Sequence, residues 1–341
     1  MNQSGKYSIF FILILMFAWL SSCQSDQDVF TMKYPDYFPS PAYQFDTNPL
    51  SKEGFELGKS LFHDPIMSID SSISCASCHA QNHAFADHNI ALSQGIFSKV
   101  GARNSPAIIN VAWQTSFMWD GGINHIEIMP FAPITNPVEM GESLENVIRK
   151  LENNPNYVAS FNSAFGHGPI VSQKIFYALA QYMGMLISDD SKYDRVKKGR
   201  EKFSNEEQQG YEIFKTKCNS CHIEPMFTDY SFRNNGIIPS LEETGRYKIT
   251  LDDNDKYKFK VPTLRNISLT YPYMHDGKLT SLRSVLDHYD HGMFFSETLD
   301  EAFITSTRLG IPLTEDEKKY VESFLITLTD YTFITNPLYA K

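Results

Sequence analysis

The chain has 341 residues, 42% hydrophobic and 13% aromatic, with 30 basic against 40 acidic side chains and a formal net charge of −10. Such an acidic balance disfavours nucleic acid as a partner and argues against a large basic docking surface. The hydrophobic content is enough for one or two well-cored domains.

At the N-terminus, Lys6 supplies a small positive region and Ile9 to Leu20 is an unbroken apolar run of 12 residues. That length suits a signal peptide over residues 1–22 and falls short of the ~18 residues that span a bilayer. Leu20-Ser21-Ser22-Cys23 resembles a bacterial lipoprotein cleavage box. The expectation is an exported, periplasmic chain anchored to the membrane by lipid on Cys23, with a tether over 23–49. Ordinary cleavage, leaving Cys23 as an odd thiol, is the alternative. Removing residues 1–22 takes away one charged side chain, Lys6, so the mature chain carries a formal −11.

Cys75-Ala76-Ser77-Cys78-His79 returns as Cys218-Asn219-Ser220-Cys221-His222. C-x-x-C-H is the attachment signature of c-type haem: the thiols form thioethers to the porphyrin and the His binds iron. With only 5 Cys and 10 His in the chain, chance predicts on the order of 0.002 such pentapeptides, so two covalent haems are expected. A redox Cys pair or half a zinc site is the competing reading. Cys23 is the one Cys outside these motifs, so no structural disulfide is available.

Helical signals dominate between and after the motifs. Short helices are expected before each motif, at Gly58 to Phe62 and Gly210 to Phe214. Leu144, Val147, Ile148 and Leu151 form an apolar stripe at helical spacing, as do Ile175, Leu179, Tyr182, Met183 and Leu186. Ser188 to Lys202 is polar and charged and reads as a solvated connection between domains, with a docking patch as the alternative. Ser204-x-x-Glu207 and Thr314-x-x-Glu317 are capping boxes. The second opens a helix whose Tyr320, Val321, Phe324, Leu325 and Leu328 share a face. No sustained period-two alternation calls for a large sheet. The two haem histidines lie 143 residues apart, about one domain length. The fold class is therefore mainly α, with two cytochrome c-like haem domains at 50–195 and 196–335.

Further segments follow each motif. Arg103-Asn104-Ser105-Pro106, Trp119-Asp120-Gly121 and Asn136-Pro137-Val138-Glu139-Met140 come after the first. Pro262-Thr263-Leu264-Arg265-Asn266 and Leu269-Thr270-Tyr271-Pro272-Tyr273-Met274-His275-Asp276-Gly277 come after the second. Over roughly residues 50 to 330, in this order, the chain resembles the bacterial di-haem cytochrome c peroxidases. That family includes the enzyme that matures the tryptophan tryptophylquinone of methylamine dehydrogenase.

The resemblance implies that the haem on His79 meets peroxide and the haem on His222 accepts electrons. Glu139 matches the distal acid–base carboxylate; a surface Glu capping a helix is the plainer reading. Trp119 matches the indole between the haems; packing alone is its alternative. Asn104, Thr270 and Pro272 match a calcium site of one side-chain oxygen and two backbone carbonyls, and are otherwise turn residues. Many relatives close the first haem with a distal His; here that position, eight residues before Asn104, is Ile96. The first haem should therefore be open to peroxide unless His83, His88 or another residue closes it. Many relatives bind the second iron with Met; here that position, fourteen residues after His275, is Tyr289. Leu282, Val285, Leu286 and Tyr289 share a helical face, which turns the Tyr inward. A phenolate ligand stabilises ferric iron, as in the quinone-maturing enzyme; Met274, Met293, His291 or no sixth ligand are the alternatives. Met129 stands where relatives often place a distal Gln, making the pocket less polar.

The leading expectation is an exported peroxidase that reduces hydrogen peroxide with electrons from a small cytochrome c or copper protein. An acidic surface suits a basic donor, although many exported proteins are simply acidic. Oxidation of residues in a partner protein is the second expectation, and a non-catalytic relay or peroxide sensor the third. Relatives are often dimers, so a homodimer stays open.

Overall fold

The computed structural model describes residues 30–87, 89–237 and 242–341. The expected signal peptide, Cys23 and His88 lie outside them. The chain divides into residues 1–31 and 32–341, and every element below belongs to the second unit. No helix among the described residues is long and apolar enough to cross a membrane.

Ser51 caps helix α1 (Lys52–His63), its side chain accepting the Gly54 amide, and the helix buries Phe55, Leu57, Leu61 and Phe62. The first Cys pair forms the single turn α2 (Cys75–Cys78). Then come α3 (Phe131–Thr135), α4 (Leu144–Glu152), α5 (Pro155–Phe165), α6 (Ser172–Gly184) and α7 (Lys192–Lys197). The second half holds α8 (Asn205–Lys217), which runs into the second motif, then α9 (Tyr247–Thr250), α10 (Leu282–Asp287), α11 (Glu315–Ile326) and α12 (Tyr331–Thr335). Both expected capping boxes are formed, at the starts of α8 and α11. The expected stripes are buried: Val147 and Leu151 on α4, Ile175, Leu179, Tyr182 and Met183 on α6, and Val321, Phe324 and Leu325 on α11. The only sheet among the described residues pairs β1 (Phe232–Arg233) with β2 (Phe259–Lys260), antiparallel.

The two halves repeat one plan. Helix α1 packs on α6 at Gly58, where a Cβ would come within 1.9 Å of the Ala178 carbonyl oxygen. Helix α8 packs on α11 at Gly210, where a Cβ would come within 1.9 Å of the Tyr320 carbonyl oxygen. Only glycine permits either crossing. Beyond α6 and α11, the Leu186 and Leu328 carbonyls accept the amides of Asn110 and Asn266, each at 2.9 Å. Those two asparagines have left-handed φ of 51° and 59° and open matching 3₁₀ turns, Val111–Trp113 and Ile267–Leu269. Tight turns follow, closed by Phe117 with Ile123 and by Tyr273 with Leu279. Within them Met118 and Met274, then Gly121 and Gly277, all have positive φ. Trp119 and His275 hold the same place in the repeated turn, as do Asn104 and Lys260 in the segments before it. Reciprocal bonds join the halves there: the Asn104 amide donates to the His275 carbonyl at 2.8 Å, and the Lys260 amide to the Trp119 carbonyl at 2.7 Å.

Residues 188–202 depart from the expected solvated connection. Ser188, Ser191, Tyr193 and Asp194 are fully buried. The Arg265 guanidinium grips Asp194 through Nη1 to Oδ2 at 2.9 Å and Nη2 to Oδ1 at 3.0 Å, with both side chains at 0% exposure. Only the outer charges face water, paired as Lys192 with Glu207 and Arg195 with Glu201. A charge run does not reveal which of its members has a buried partner far away in sequence. Asp194→Asn should leave the guanidinium uncompensated and destabilise the protein by about 3–5 kcal/mol. A urea denaturation midpoint equal to that of the wild type would refute this.

Candidate functional site

The two halves enclose one cavity of 1020 Å³, lined by Cys75, Cys78 and His79 of the first motif and by Cys218, Cys221 and His222 of the second. Ligand pockets are usually ~300–1000 Å³, so this one lies at the top of that range and suits a large ligand. His79 Nδ1 lies 2.9 Å from the Phe85 carbonyl oxygen and His222 Nδ1 3.1 Å from that of Phe227. Each contact places the proton on Nδ1 and leaves Nε2 as the metal-binding lone pair. Burial pushes both imidazoles below their ordinary pKa, which keeps them neutral. None of the four motif thiols is in a disulfide. Burial raises Cys75 and Cys218 to about 12 and Cys78 to about 11, so they stay protonated rather than thiolate. Among the described residues no group of three or more His, Cys, Asp or Glu is placed to hold a metal ion, which leaves half a zinc site without its other half. One ring donor and two thiols per motif, on a large and mostly apolar-lined cavity, fit covalent porphyrins.

On the wall of the first half, Glu139 is half-buried and faces the cavity. Asn136 Nδ2 donates to Glu139 Oε1 at 2.7 Å, and Asn136 Oδ1 accepts the Val138 amide at 3.1 Å, which fixes the amide's orientation. Burial pushes the Glu139 carboxyl above its ordinary range, and the Asn136 bond offsets part of this. Met129 shares this wall. Ile96 is buried but does not line the cavity; its amide donates to the Glu139 carbonyl at 2.8 Å and its side chain packs over Gly141. His83 is also absent from the lining. Among the described residues, the imidazoles on the cavity are His79, His222 and His275, and His275 is stacked on Phe259 at 3.7 Å.

Between the motifs, Trp119 lines the cavity and its Nε1 donates to the Asn104 carbonyl at 2.8 Å. Arg103 clamps the halves together. Its Nη1 donates to Asp120 Oδ2 at 2.5 Å, and its Nε and Nη2 reach the Glu243 carboxylate at 2.8 and 2.9 Å. Sequence motifs flagged Arg103 and Asp120, but nothing local marked Glu243 as their partner. Asn104, Thr270 and Pro272 line the same cavity.

On the second-half wall, Tyr289 lines the cavity beside Leu282, Val285 and Leu286, so the expected face holds. Helix α10 continues into a π-helical turn, His288–Gly292, that carries the Tyr. Burial pushes its hydroxyl up to about 12, while the Asn235 amide pulls it down; a bound cation would have to supply the remaining stabilisation of a phenolate. Of the alternatives, Met293 packs with Leu299 and Phe303 but does not itself line the cavity, and His291 is exposed beside Asp290. Met274 does line the cavity, with its Sδ accepting from Asn235 Nδ2 at 3.2 Å. Asn235, which touches both residues, carried no signal in the sequence.

A family model described as di-haem cytochrome c peroxidase matches residues 52–202. The methylamine utilization protein MauG of Methylorubrum extorquens is 36% identical over 278 residues, covering 79% of this chain and 77% of that protein. Cytochrome c551 peroxidase of Nitrosomonas europaea is 32% identical over 289 residues, covering 82% and 81%. The crystal structure of a MauG-like protein associated with microbial copper homeostasis matches with a TM-score of 0.79 at 30% identity, covering 90% of this chain and 98% of that one.

The Arg103 clamp has a pH signature. Burial raises the Glu243 carboxyl, but Arg103 outweighs it and holds the pKa at about 2. A depressed folded pKa stabilises fully above the ordinary carboxylate value of about 4.3 and is lost as pH falls below it. The melting-temperature gap between wild type and Glu243→Gln should be widest near pH 7 and narrow toward pH 3. A gap independent of pH would show that the clamp does not act through this charge.

Proposed function

The chain belongs to the di-haem cytochrome c peroxidase family, and from that premise we propose an exported, periplasmic enzyme that reduces hydrogen peroxide to water with two electrons from a small cytochrome c or copper protein. Two cytochrome c-like haem domains, at 50–195 and 196–335, would hold one haem each, on Cys75, Cys78 and His79 and on Cys218, Cys221 and His222. The observation that carries the reading is Glu139, a carboxyl of raised pKa on the wall of the cavity that His79 also lines, a lining from which Ile96 and His83 are absent.

Bound haem supplies the iron that takes up peroxide and the capacity to store two oxidising equivalents between the two centres. Glu139 does the proton work. As carboxylate it takes the proton from one peroxide oxygen, and as acid it returns that proton to the departing oxygen, which leaves as water. Asn136 holds the carboxylate in place for both steps. Trp119 is the proposed carrier of charge between the halves, and bonds at its ring nitrogen and its carbonyl, which hold it, support that role. Tyr289 is the proposed sixth ligand of the second iron.

Asn104, Thr270 and Pro272 are the proposed calcium site. Support comes from the repeat: at the equivalent positions, Gln114 Oε1 and the Ser116 carbonyl both accept from the Lys260 ammonium at 2.6 Å. Oxygens in this arrangement suit a cation. Export with a lipid anchor at Cys23 rests on the sequence alone. A second reading, oxidation of residues in a partner protein, is favoured by Tyr289 facing the cavity where many relatives use Met.

Mixing the diferric protein with stoichiometric hydrogen peroxide in a stopped-flow spectrometer tests the first reading. Rapid reaction without pre-reduction is expected, and silence in both redox states would leave an electron relay as the better account. Peroxide turnover that stalls with every small redox donor would favour the second reading. Glu139→Gln should slow the peroxide step by about 10²–10⁴-fold. The wild-type rate should rise with pH through a carboxyl pKa above the ordinary range, a limb the variant lacks. Tyr289→Phe should raise the midpoint potential of the second haem alone, since it removes an anionic ligand; an unchanged potential would exclude Tyr289 as that ligand.

A further inference from the structure

Five cationic side chains line the cavity, and four have a carboxylate partner. Arg103 is held by Asp120 and Glu243, Lys217 by Glu317, Arg233 by Asp229 and Asp300, and Lys248 lies 3.5 Å from Glu243. Lys260 is the exception. Its Nζ donates to Gln114 Oε1 and to the Ser116 carbonyl, both at 2.6 Å, and it enters no ion pair among the described residues. Those oxygens take two of its three N–H donors, the Phe117 ring lies 5.8 Å away and Asp120 acts on it from beyond ion-pair distance, so the third donor is left for an anion on the cavity. Burial, only partly offset by Asp120, pushes Lys260 down to about 7.

Position adds a second reason. Lys260 sits on β2, and its amide bonds the Trp119 carbonyl at 2.7 Å, so it lies against the turn that carries the bridging indole. In the repeat its counterpart is Asn104, which is uncharged. The chain therefore places a basic side chain at only one of the two equivalent points where the halves meet.

We propose that Lys260 is a carboxylate-binding residue of the cavity and pairs with a haem propionate. The proposal rests on the di-haem reading above. Porphyrin propionates are carboxylates on flexible arms, and a third acceptor of that charge turns an uncompensated ammonium into a satisfied one. The pair also ties the Trp119 turn to the cofactor, since the same ammonium holds Gln114 and Ser116. Lys260 thus acts on redox behaviour as a positioning and electrostatic residue rather than a catalytic one.

The test uses the holoprotein with Lys260→Met, Lys260→Arg and Gln114→Ala. Haem content measured as the pyridine haemochrome comes first: two haems per wild-type chain uphold the di-haem reading, and fewer would remove that premise whatever Lys260 does. Midpoint potentials are then read by spectroelectrochemical titration. Loss of a positive charge beside a propionate favours the ferric state, so Lys260→Met should shift one haem to a more negative potential. Lys260→Arg should stay near wild type, and Gln114→Ala, which loosens the same turn without touching the charge, should leave the potentials unmoved. Equal potentials in Lys260→Met and wild type, or an equal shift in Gln114→Ala, would overturn the proposal. If Lys260→Met does not fold or load, a crystal structure of the unmutated holoprotein decides it. A propionate oxygen within about 4 Å of Nζ supports the pair; an ammonium still facing only Gln114 and Ser116 rejects it.

Discussion

A fully buried arginine holds the centre of this molecule. The Arg265 guanidinium spends its donors on Asp194 and on the Pro225 carbonyl at 3.0 Å, and its plane lies near the rings of Phe38 and Phe227. Asp194 in turn accepts from Tyr37 and from Ser191. Four stretches remote in sequence meet there: the N-terminal segment at Tyr37 and Phe38, the strap at 188–202, the loop after the second Cys-x-x-Cys-His motif, and the segment Pro262–Asn266. Such a charge is tolerated inside a protein only when every donor is satisfied. One of those segments, Pro262–Asn266, also supplies Pro262, Thr263 and Leu264 to the cavity wall.

Around that anchor the repeat explains how one plan yields two unlike sites. Both halves use a glycine crossing, a left-handed Asn and a tight turn with positive φ, so the backbone frame is the same twice. The side chains at equivalent points then differ. Trp119 stands opposite His275, Asn104 opposite Lys260, and Gln114 opposite Thr270. The first half receives an indole and a neutral amide at the meeting point, the second an imidazole and an ammonium. Each half thus places different chemistry on a shared cavity without a different fold. The C-terminal segment reinforces the union: Gln81 of the first half donates to the Phe333 and Asn336 carbonyls, and Tyr182 donates to that of Tyr339.

Local signals were legible wherever the chemistry was local. The C-x-x-C-H pentapeptides, the capping boxes at Ser204 and Thr314, and the apolar stripes of α6 and α11 all concern residues within a few positions of each other. Tyr289 was legible for the same reason, because its helical neighbours Leu282, Val285 and Leu286 share its face. The strap at 188–202 was misread: Asp194 is distinguished from its exposed neighbours only by Arg265, 71 positions away. Glu243, Asn235 and Lys260 escaped notice on the same ground, since an isolated Glu, Asn or Lys is by default a solvated residue.

The sequence by itself marked the two motifs proposed to hold covalent haem, because thioether attachment and axial ligation by His need residues in one fixed short order. It also determined the helices, whose caps and apolar faces are short-range properties. Only the tertiary structure decided that both motifs open into one cavity, that Glu139 and Tyr289 face it while Ile96 and Met293 do not, and that Lys260 has no carboxylate partner among the described residues. Those outcomes depend on burial and on partners far apart in the chain, and no local pattern encodes which distant residue will neutralise a charge.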